Sequence, residues 1–203
     1  MKEHRVDQLS PEWFALRVGK ITGSLFPDLM PKDNAKVEYT QGQYSLLVQI
    51  ASEILTGEAE ETFTSKAMQW GVDMEESGRE ALSDYLMTPI RESGFWEYSE
   101  WAGASPDGIG GNMDFVAEIK CPTSKTHMLY LLDSEKLWKK YRWQVVAESL
   151  CSGIDNAYIC SYDPRFPLDK SIVVHDPGDL SADREKLAAR IESAVEIIKG
   201  MIK

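Results

Sequence analysis

Two acids and a lysine stand out because they interrupt otherwise apolar or turn-forming sequence. Asp107 lies in a Ser-Pro-Asp-Gly turn, and Glu118 and Lys120 fall within the predicted strand 115–120. Side chains alternate along a strand, so Glu118 and Lys120 share one face while Ile119 points to the other. If the strands on either side of the turn pair, Asp107 and Glu118 converge, and two carboxylates with water suit Mg²⁺. Such a cation activates water and offsets phosphate charge, while Lys120 stabilises the transition state.

A simpler arrangement of the same residue types stays open. Glu118 and Lys120 would also form an ordinary salt bridge on a solvated face of a sheet. Glu75 offers a similar choice, because it either pairs with Arg79 one helical turn on or faces a site. It belongs to a predicted core-facing helical stripe, whose other members are Met68, Val72, Arg79, Leu82 and Leu86.

The composition fits one intracellular α/β domain and limits the kinds of metal site. The chain has 203 residues, 43% of them hydrophobic, which we interpret as a single domain over 1–203. Three cysteines without a CxxC pair suit a reduced cytosolic protein, and three scattered histidines offer no zinc spacing. Any metal is therefore expected to be a hard cation held by oxygen. No membrane span or secretion signal is expected.

The net charge of -11 does not exclude DNA as a partner. Phosphate binding depends on local clusters of cations, whereas net charge reports the long-range field. Cationic residues cluster at Arg17 with Lys20, at Lys32 with Lys36, and along 136–143. The sequence thus permits nucleic-acid binding without requiring it.

The predicted elements form a mixed sheet flanked by helices. Helical periodicity and capping residues predict helices near 10–17, 22–31, 43–57, 65–87, 134–151 and 182–201. Strands are predicted near 90–98, 101–104, 115–120, 156–162 and 171–175. This order of elements predicts an α/β fold.

Five segments in order carry a resemblance to a known family. Asp107 within SPDG followed by EIK resembles the core of the PD-(D/E)xK nucleases. The segments are WFALRVGKITGS (13–24), AMQWGVDMEE (67–76), AGASPDGI (102–109), EIKCP (118–122) and YRWQV (141–145). Together they resemble the phage lambda-type 5′→3′ exonucleases, the alkaline exonucleases of viral recombination. The resemblance implies a restriction-endonuclease-like α/β core, and it leaves the last 40 or so residues without a distinctive motif.

The resemblance also implies roles for individual residues. Asp107 and Glu118, with the main-chain carbonyl of Ile119, match the ligands of a Mg²⁺ ion, for which Mn²⁺ is an alternative. Lys120 matches the catalytic lysine. Glu75 matches a supporting acid of the catalytic site. Further matches are Gln144 of the trailing helix, which shapes the site, and a 5′-phosphate pocket of Arg17, Ser24 and Ser105.

The resemblance further implies partners, assembly and location. Family members act on double-stranded DNA ends beside a single-strand annealing protein, and they form ring-shaped homotrimers. A phage or prophage origin would place the chain in the bacterial cytoplasm. Three alternatives stay open: a PD-(D/E)xK endonuclease, a RecB-like nuclease, and a nonenzymatic factor that binds DNA ends.

Overall fold

The strands lie in two mixed sheets within the residues that the computed structural model describes, which are 1–31, 36–60 and 66–203. They are β1 Lys2–His4, β2 Ile21–Thr22, β3 Ile90–Arg91, β4 Phe95–Ser99, β5 Ala102–Ala104, β6 Gly108–Gly110, β7 Phe115–Lys120, β8 Asn156–Tyr162 and β9 Ile172–His175. One sheet has the order β1-β4-β5-β2, and the other has the order β3-β6-β7-β8-β9. The pairs β2–β5 and β7–β8 are parallel, and the other pairs are antiparallel.

Helices flank these sheets, so the predicted mixed α/β class is confirmed. They are α1 Pro11–Arg17, α2 Phe26–Leu29, α3 Gln41–Thr56, α4 Lys66–Leu86, α5 Ser124–Leu132, α6 Glu135–Ser152 and α7 Ser181–Met201, with short 3₁₀ turns at Gly23–Leu25 and Leu168–Lys170. Two predictions fall outside the described residues: Lys32 as part of a basic pair and Ser65 as the start of a helix.

Capping groups mark the start of α1 and both ends of α3. The Ser10 side chain accepts a hydrogen bond from the Trp13 amide at 3.2 Å, which starts α1. Thr40 and Gln43 form a reciprocal capping box at the start of α3, and Gly57 ends that helix with φ 74°. The predicted end of this helix at 57 is therefore confirmed, whereas its start lies before the predicted 43.

Two predicted elements were wrong in extent. The predicted strand 90–98 is two strands in different sheets, separated by a segment that contains Gly94. A Cβ on Gly94 would lie 2.0 Å from the carbonyl oxygen of His4, so glycine permits β1 to approach the chain there. The predicted helix 22–31 is a short strand, a 3₁₀ turn and the four-residue α2. The sequence reasoning also missed β1, β2, β6 and α5.

Strand β7 lies between helices α6 and α4, and its two faces differ as the alternation predicts. Phe115, Ala117 and Ile119 join an apolar cluster with Leu82 of α4. Val116 joins the main core, to which α6 contributes Val145, Val146, Ala147, Leu150 and Cys151. Helix α6 contacts strands of both sheets, so it connects them.

Helix α4 approaches β7 closely at Gly78, where a Cβ would lie 2.6 Å from Ile119 Cγ2. The predicted core-facing stripe on α4 is wrong at its start, since Met68 and Val72 are 54% and 44% exposed. Leu82 does face the sheet and is fully buried.

Within the described residues, no helix combines the length and apolar character needed to cross a bilayer.

Candidate active site

Antiparallel pairing of β6 with β7 brings Asp107 to the predicted strand. The register places Gly108 opposite Ala117, so Asp107 lies just beyond the paired residues. Its Oδ2 atom accepts a hydrogen bond of 2.7 Å from the Ile119 amide. The predicted pairing of the strands on either side of the turn is wrong, because β5 and β7 belong to different sheets. Asp107 nevertheless reaches β7, because the unpredicted strand β6 pairs with it.

Glu118 is the centre of a buried polar network. Its side chain is fully buried, and its Oε1 atom forms an ion pair with the Lys120 ammonium. Gln144 of α6 donates a hydrogen bond of 2.6 Å from Nε2 to the same oxygen. The salt bridge between Glu118 and Lys120 is therefore present. It is buried under α6, so the expectation that it lies on a solvated sheet face is wrong.

Glu75 takes part in both of the arrangements that the sequence left open. Arg79 Nη2 donates to Glu75 Oε1 at 3.2 Å, and Arg79 Nε donates to the main-chain oxygen of Asp107 at 2.8 Å. Burial raises the pKa of Glu75, and the charge of Glu118 raises it further, whereas Arg79 lowers it. Helix α4 is therefore linked to the Asp107 turn through Arg79, and Glu75 belongs to the same electrostatic cluster.

Several acids share the low-dielectric region around β7. Burial raises the pKa of Asp107 well above its usual range, and the nearby charge of Glu118 adds to this. Burial alone would lower the pKa of Lys120, but the charges of Glu118 and Asp107 outweigh it, so this pKa is raised. Lys120 is consequently a permanent cation near neutral pH.

Glu148 is a member of this cluster that the sequence reasoning missed. It lies one turn after Gln144 on α6 and is fully buried. Burial raises its pKa well above the usual range, and interaction with Glu118 contributes to the shift. The signal was available in the sequence: an acid within the apolar run VVAES, four residues from Gln144, occupies the same helix face.

The residues present fit a hard divalent cation. Among the described residues, no three His, Cys, Asp or Glu side chains are arranged to hold a metal ion together. Mg²⁺ needs fewer protein ligands, because it keeps several waters and binds through one or two carboxylates. Asp107 and Glu118 supply these, and Glu118 Oε2 is buried without a hydrogen-bond partner. The all-oxygen donor set suits Mg²⁺ or Mn²⁺.

The three residues predicted to bind a 5′-phosphate lie around the parallel pairing of β2 with β5. Thr22 pairs with Gly103, and Ser24 and Ser105 each follow two residues later. Arg17 donates from Nη2 to Thr22 Oγ1 at 3.0 Å. Ser24 is exposed in the 3₁₀ turn, and no hydrogen bond between it and Arg17 or Ser105 occurs in the described part of the chain.

Trp13 connects Arg17 to Ser105, a link that the sequence did not reveal. The Arg17 guanidinium lies 3.9 Å from the centroid of the Trp13 ring. The indole Nε1 of Trp13 donates to Ser105 Oγ at 2.8 Å. Burial lowers the pKa of Arg17 to about 10, against the opposing charge of Glu53, so the guanidinium stays charged at neutral pH.

The basic helix α6 is only partly available to DNA. Arg142 makes two bonds with Asp183 of α7, of 2.7 Å and 2.5 Å, so it connects two helices. Trp138 stacks on His175 with ring centroids 5.8 Å apart. Lys139 and Lys140 are exposed.

A family profile for the YqaJ-like viral recombinase domain matches residues 12–155. The chain belongs to this family. The matched range contains the predicted site residues, from Arg17 to Gln144. Among curated proteins, none matches the sequence of this YqaJ-like domain significantly.

Solved structures give the same relationship. The YqaJ-like domain is similar to LHK-Exo, an alkaline exonuclease from Laribacter hongkongensis, with 26% identity and a TM-score of 0.84, covering 95% of this chain and 94% of that one. LHK-Exo has also been solved in complex with dAMP. A phage-related exonuclease from Haemophilus somnus 129PT shares the fold at 14% identity and a TM-score of 0.76, covering 90% of this chain and 95% of that one. The resemblance to phage-type alkaline exonucleases is confirmed, and these likenesses support the predicted deoxyribonuclease activity.

Proposed function

We propose that this YqaJ-like domain is a metal-dependent 5′→3′ exonuclease. It digests one strand of linear double-stranded DNA from a 5′-phosphorylated end, for phage-type recombination by single-strand annealing. The observation that carries the proposal is the buried network of Asp107, Glu118, Lys120 and Gln144. Its support is the family membership and the 26% identity with an alkaline exonuclease over nearly the whole chain.

Each residue of the network has a distinct part in the proposed reaction. Asp107 and Glu118, with the main-chain oxygen of Ile119, would hold the cation. A divalent cation, when bound, supplies Lewis-acid activation of water and neutralises charge on the scissile phosphate. Gln144 orients Glu118 through its 2.6 Å hydrogen bond. Lys120 stays protonated because its pKa is raised, so it stabilises negative charge in the transition state and does not act as a base.

The form of the DNA separates this function from its alternatives. With Mg²⁺, the protein should release nucleotides from linear duplex and leave supercoiled circular DNA intact. Nicking of the circle would indicate a PD-(D/E)xK endonuclease or a RecB-like nuclease instead. Binding of DNA ends without release of nucleotides would indicate a nonenzymatic factor.

Recognition of the 5′ end is the next part of the proposal. Every phosphodiester looks alike to a metal site, so polarity requires a separate pocket for the terminal phosphate. Arg17 offers a charged, bidentate donor, and Ser105 is held beside it through Trp13. Ser105 also lies two residues from Asp107. The pocket and the metal ligands would therefore act on one end of the same strand.

Arg17→Ala should reduce the preference for a 5′-phosphate. We expect the mutant to slow on 5′-phosphorylated duplex by roughly 10-fold to 100-fold, since a charge-assisted hydrogen bond contributes about 1.5–3 kcal/mol. Its rate on 5′-hydroxyl duplex should change little. Initial rates for both substrates give the ratio, with Arg5→Ala as the control because the Arg5 side chain is 81% exposed and pairs only locally with Glu3. If the mutant keeps the wild-type ratio, Arg17 does not belong to the 5′-phosphate pocket.

We also propose an assembly, which rests on the resemblance to the phage exonucleases. We expect one nuclease domain over 1–203 that forms a ring-shaped homotrimer in the bacterial cytoplasm beside a single-strand annealing protein. A chain of net charge -11 can enclose DNA if its cations line the channel and its acids face outward. Light scattering at micromolar concentration should return three times the mass of 22.9 kDa. A fully active monomer would contradict the ring.

A further inference from the structure

The Lys120 ammonium contacts an aromatic ring as well as an acid. Its Nζ atom lies 5.1 Å from the centroid of the Tyr141 ring on α6. A cation is attracted to the face of an aromatic ring within about 6 Å of the centroid. The same ammonium forms the ion pair with Glu118. Lys120 therefore has one charged contact and one uncharged contact.

The Tyr141 ring is itself fixed in place. Hydrogen bonds link the side chains of Tyr141, Tyr130 and Lys140. Tyr130 of α5 is buried, and the partly buried Tyr141 packs against the main core. Lys140 Nζ lies 4.8 Å from the centroid of the Tyr141 ring. A ring that is hydrogen-bonded at its hydroxyl and packed against the core has little freedom to move.

The two contacts of Lys120 differ in their effect on its charge. Glu118 attracts the ammonium but also offsets its positive charge, and the same carboxylate oxygen accepts a hydrogen bond from Gln144. An aromatic ring attracts a cation through its quadrupole and carries no net charge. The contact with Tyr141 therefore restrains Lys120 and leaves its charge available to a phosphate. Such restraint matters, because a misplacement of about 1 Å in an active site can lower a rate by about 10²-fold.

The other aromatic side chains in the basic part of α6 have different contacts. Trp138 stacks on His175, with ring centroids 5.8 Å apart. The Trp143 ring has the Arg142 guanidinium 4.9 Å from its centroid. Of the three aromatic residues, Tyr141 is the one that the described structure places against Lys120.

We infer that Tyr141 is a positioning residue for Lys120, whose ammonium its ring holds beside the scissile phosphate. The inference rests on the proposed function, since it assigns a residue to the same cleavage reaction. The ring carries this role, and the hydroxyl anchors the ring. Tyr141 thus affects the rate of cleavage through Lys120 and leaves the affinity for DNA unchanged.

Replacement of the ring tests this assignment. Tyr141→Leu should lower the single-turnover cleavage rate on linear duplex by roughly 5-fold to 30-fold, as expected for loss of one partly desolvated cation–π contact. The Kd for duplex, measured without divalent cation, should equal that of wild type. Tyr141→Phe keeps the ring, so its cleavage rate should stay close to that of wild type.

Tyr98→Leu is the matched control, because Tyr98 is also a partly buried tyrosine that packs against the main core. Its cleavage rate should equal that of wild type. If Tyr141→Leu fails to fold, Tyr141→Met takes its place, since methionine adapts to irregular apolar spaces. The same loss of rate is expected for both substitutions.

A double mutant provides a second readout that a purely structural role would not reproduce. If Tyr141 acts through Lys120, Tyr141→Leu should slow cleavage by the wild-type protein but leave the residual rate of Lys120→Ala unchanged. If Tyr141 only stabilised the fold around the site, it would slow both proteins by the same factor.

The outcomes that would overturn the inference differ in what else they remove. A wild-type rate in both Tyr141→Leu and Tyr141→Met, or equal slowing in the presence and absence of Lys120, overturns the role of Tyr141 alone. Weaker binding of duplex at an unchanged cleavage rate also overturns it, and would assign the ring to DNA. Absence of nucleotide release by wild type overturns the inference together with the proposed function.

Discussion

Lys120→Ala should lower the rate of phosphodiester cleavage by about 10²–10³-fold while the protein stays folded. That range is typical for loss of one preorganised electrostatic contact to a transition state. Lys120 is suited to this role because the charges of Glu118 and Asp107 raise its pKa and keep it protonated. The Lys120 ammonium also pairs with Glu118, so Lys120→Ala should bind the cation as tightly as wild type does, or more tightly.

The rate is measured in single turnover on 5′-phosphorylated duplex at saturating Mg²⁺, with circular dichroism to check folding. Lys199→Ala is the matched control, since Lys199 pairs with Glu196 at 3.0 Å within helix α7. A folded Lys120→Ala protein with a rate near that of wild type would falsify the assignment of Lys120.

Asp107→Asn should abolish most cleavage and most of the stabilisation by Mg²⁺. We expect the cleavage rate to fall by at least about 10²-fold. This loss exceeds the one that is typical for a residue that only orients a metal ligand. Asparagine retains an oxygen for the 2.7 Å bond from the Ile119 amide, so β7 should keep its position. Mg²⁺ should raise the unfolding temperature of wild type and barely change that of the mutant.

The same mutant should respond less to pH in the absence of cation. The pKa of Asp107 is raised in the folded protein, so the folded state holds this proton more tightly than the unfolded state. This contribution to stability is present below the ordinary carboxyl pKa and is lost as pH rises through the raised value. Asp107→Asn cannot lose it, so its unfolding temperature should fall less as the pH rises from the ordinary carboxyl pKa through the raised value. A pH dependence identical to that of wild type would show that Asp107 is not the perturbed acid.

Local sequence rules predicted the centre of the site because its geometry is local. The alternation along β7 places Glu118 and Lys120 on one face, and the SPDG turn marks Asp107, although the strand β6 that brings Asp107 to β7 was not predicted. The end of helix α3 at Gly57 was predicted for the same reason, whereas the capping box of Thr40 and Gln43 that starts the helix was not predicted.

Features that depend on packing between distant segments were harder to predict. The acid within the apolar run of α6 marks Glu148 as unusual, but its contact with Glu118 depends on the packing of α6 against β7, which the sequence does not reveal. Trp13 and Ser105 are 92 residues apart, so their hydrogen bond has no local signature. The division of 90–98 between two sheets coincides with a close approach of β1 to Gly94. In each case a tertiary contact decided what local propensity left open.

The short turn that carries Ser105 and Asp107 has a consequence for the size of the product. Two residues of extended chain span at most about 7 Å, so covalent geometry limits how far the proposed end-binding serine can lie from the metal ligand. If Ser105 binds the terminal phosphate and Asp107 the cation as proposed, the turn would fix the spacing between the bound end and the bond that is cut. Changes in packing elsewhere in the protein would alter how fast the enzyme cuts, whereas the length of each excised piece would stay constant.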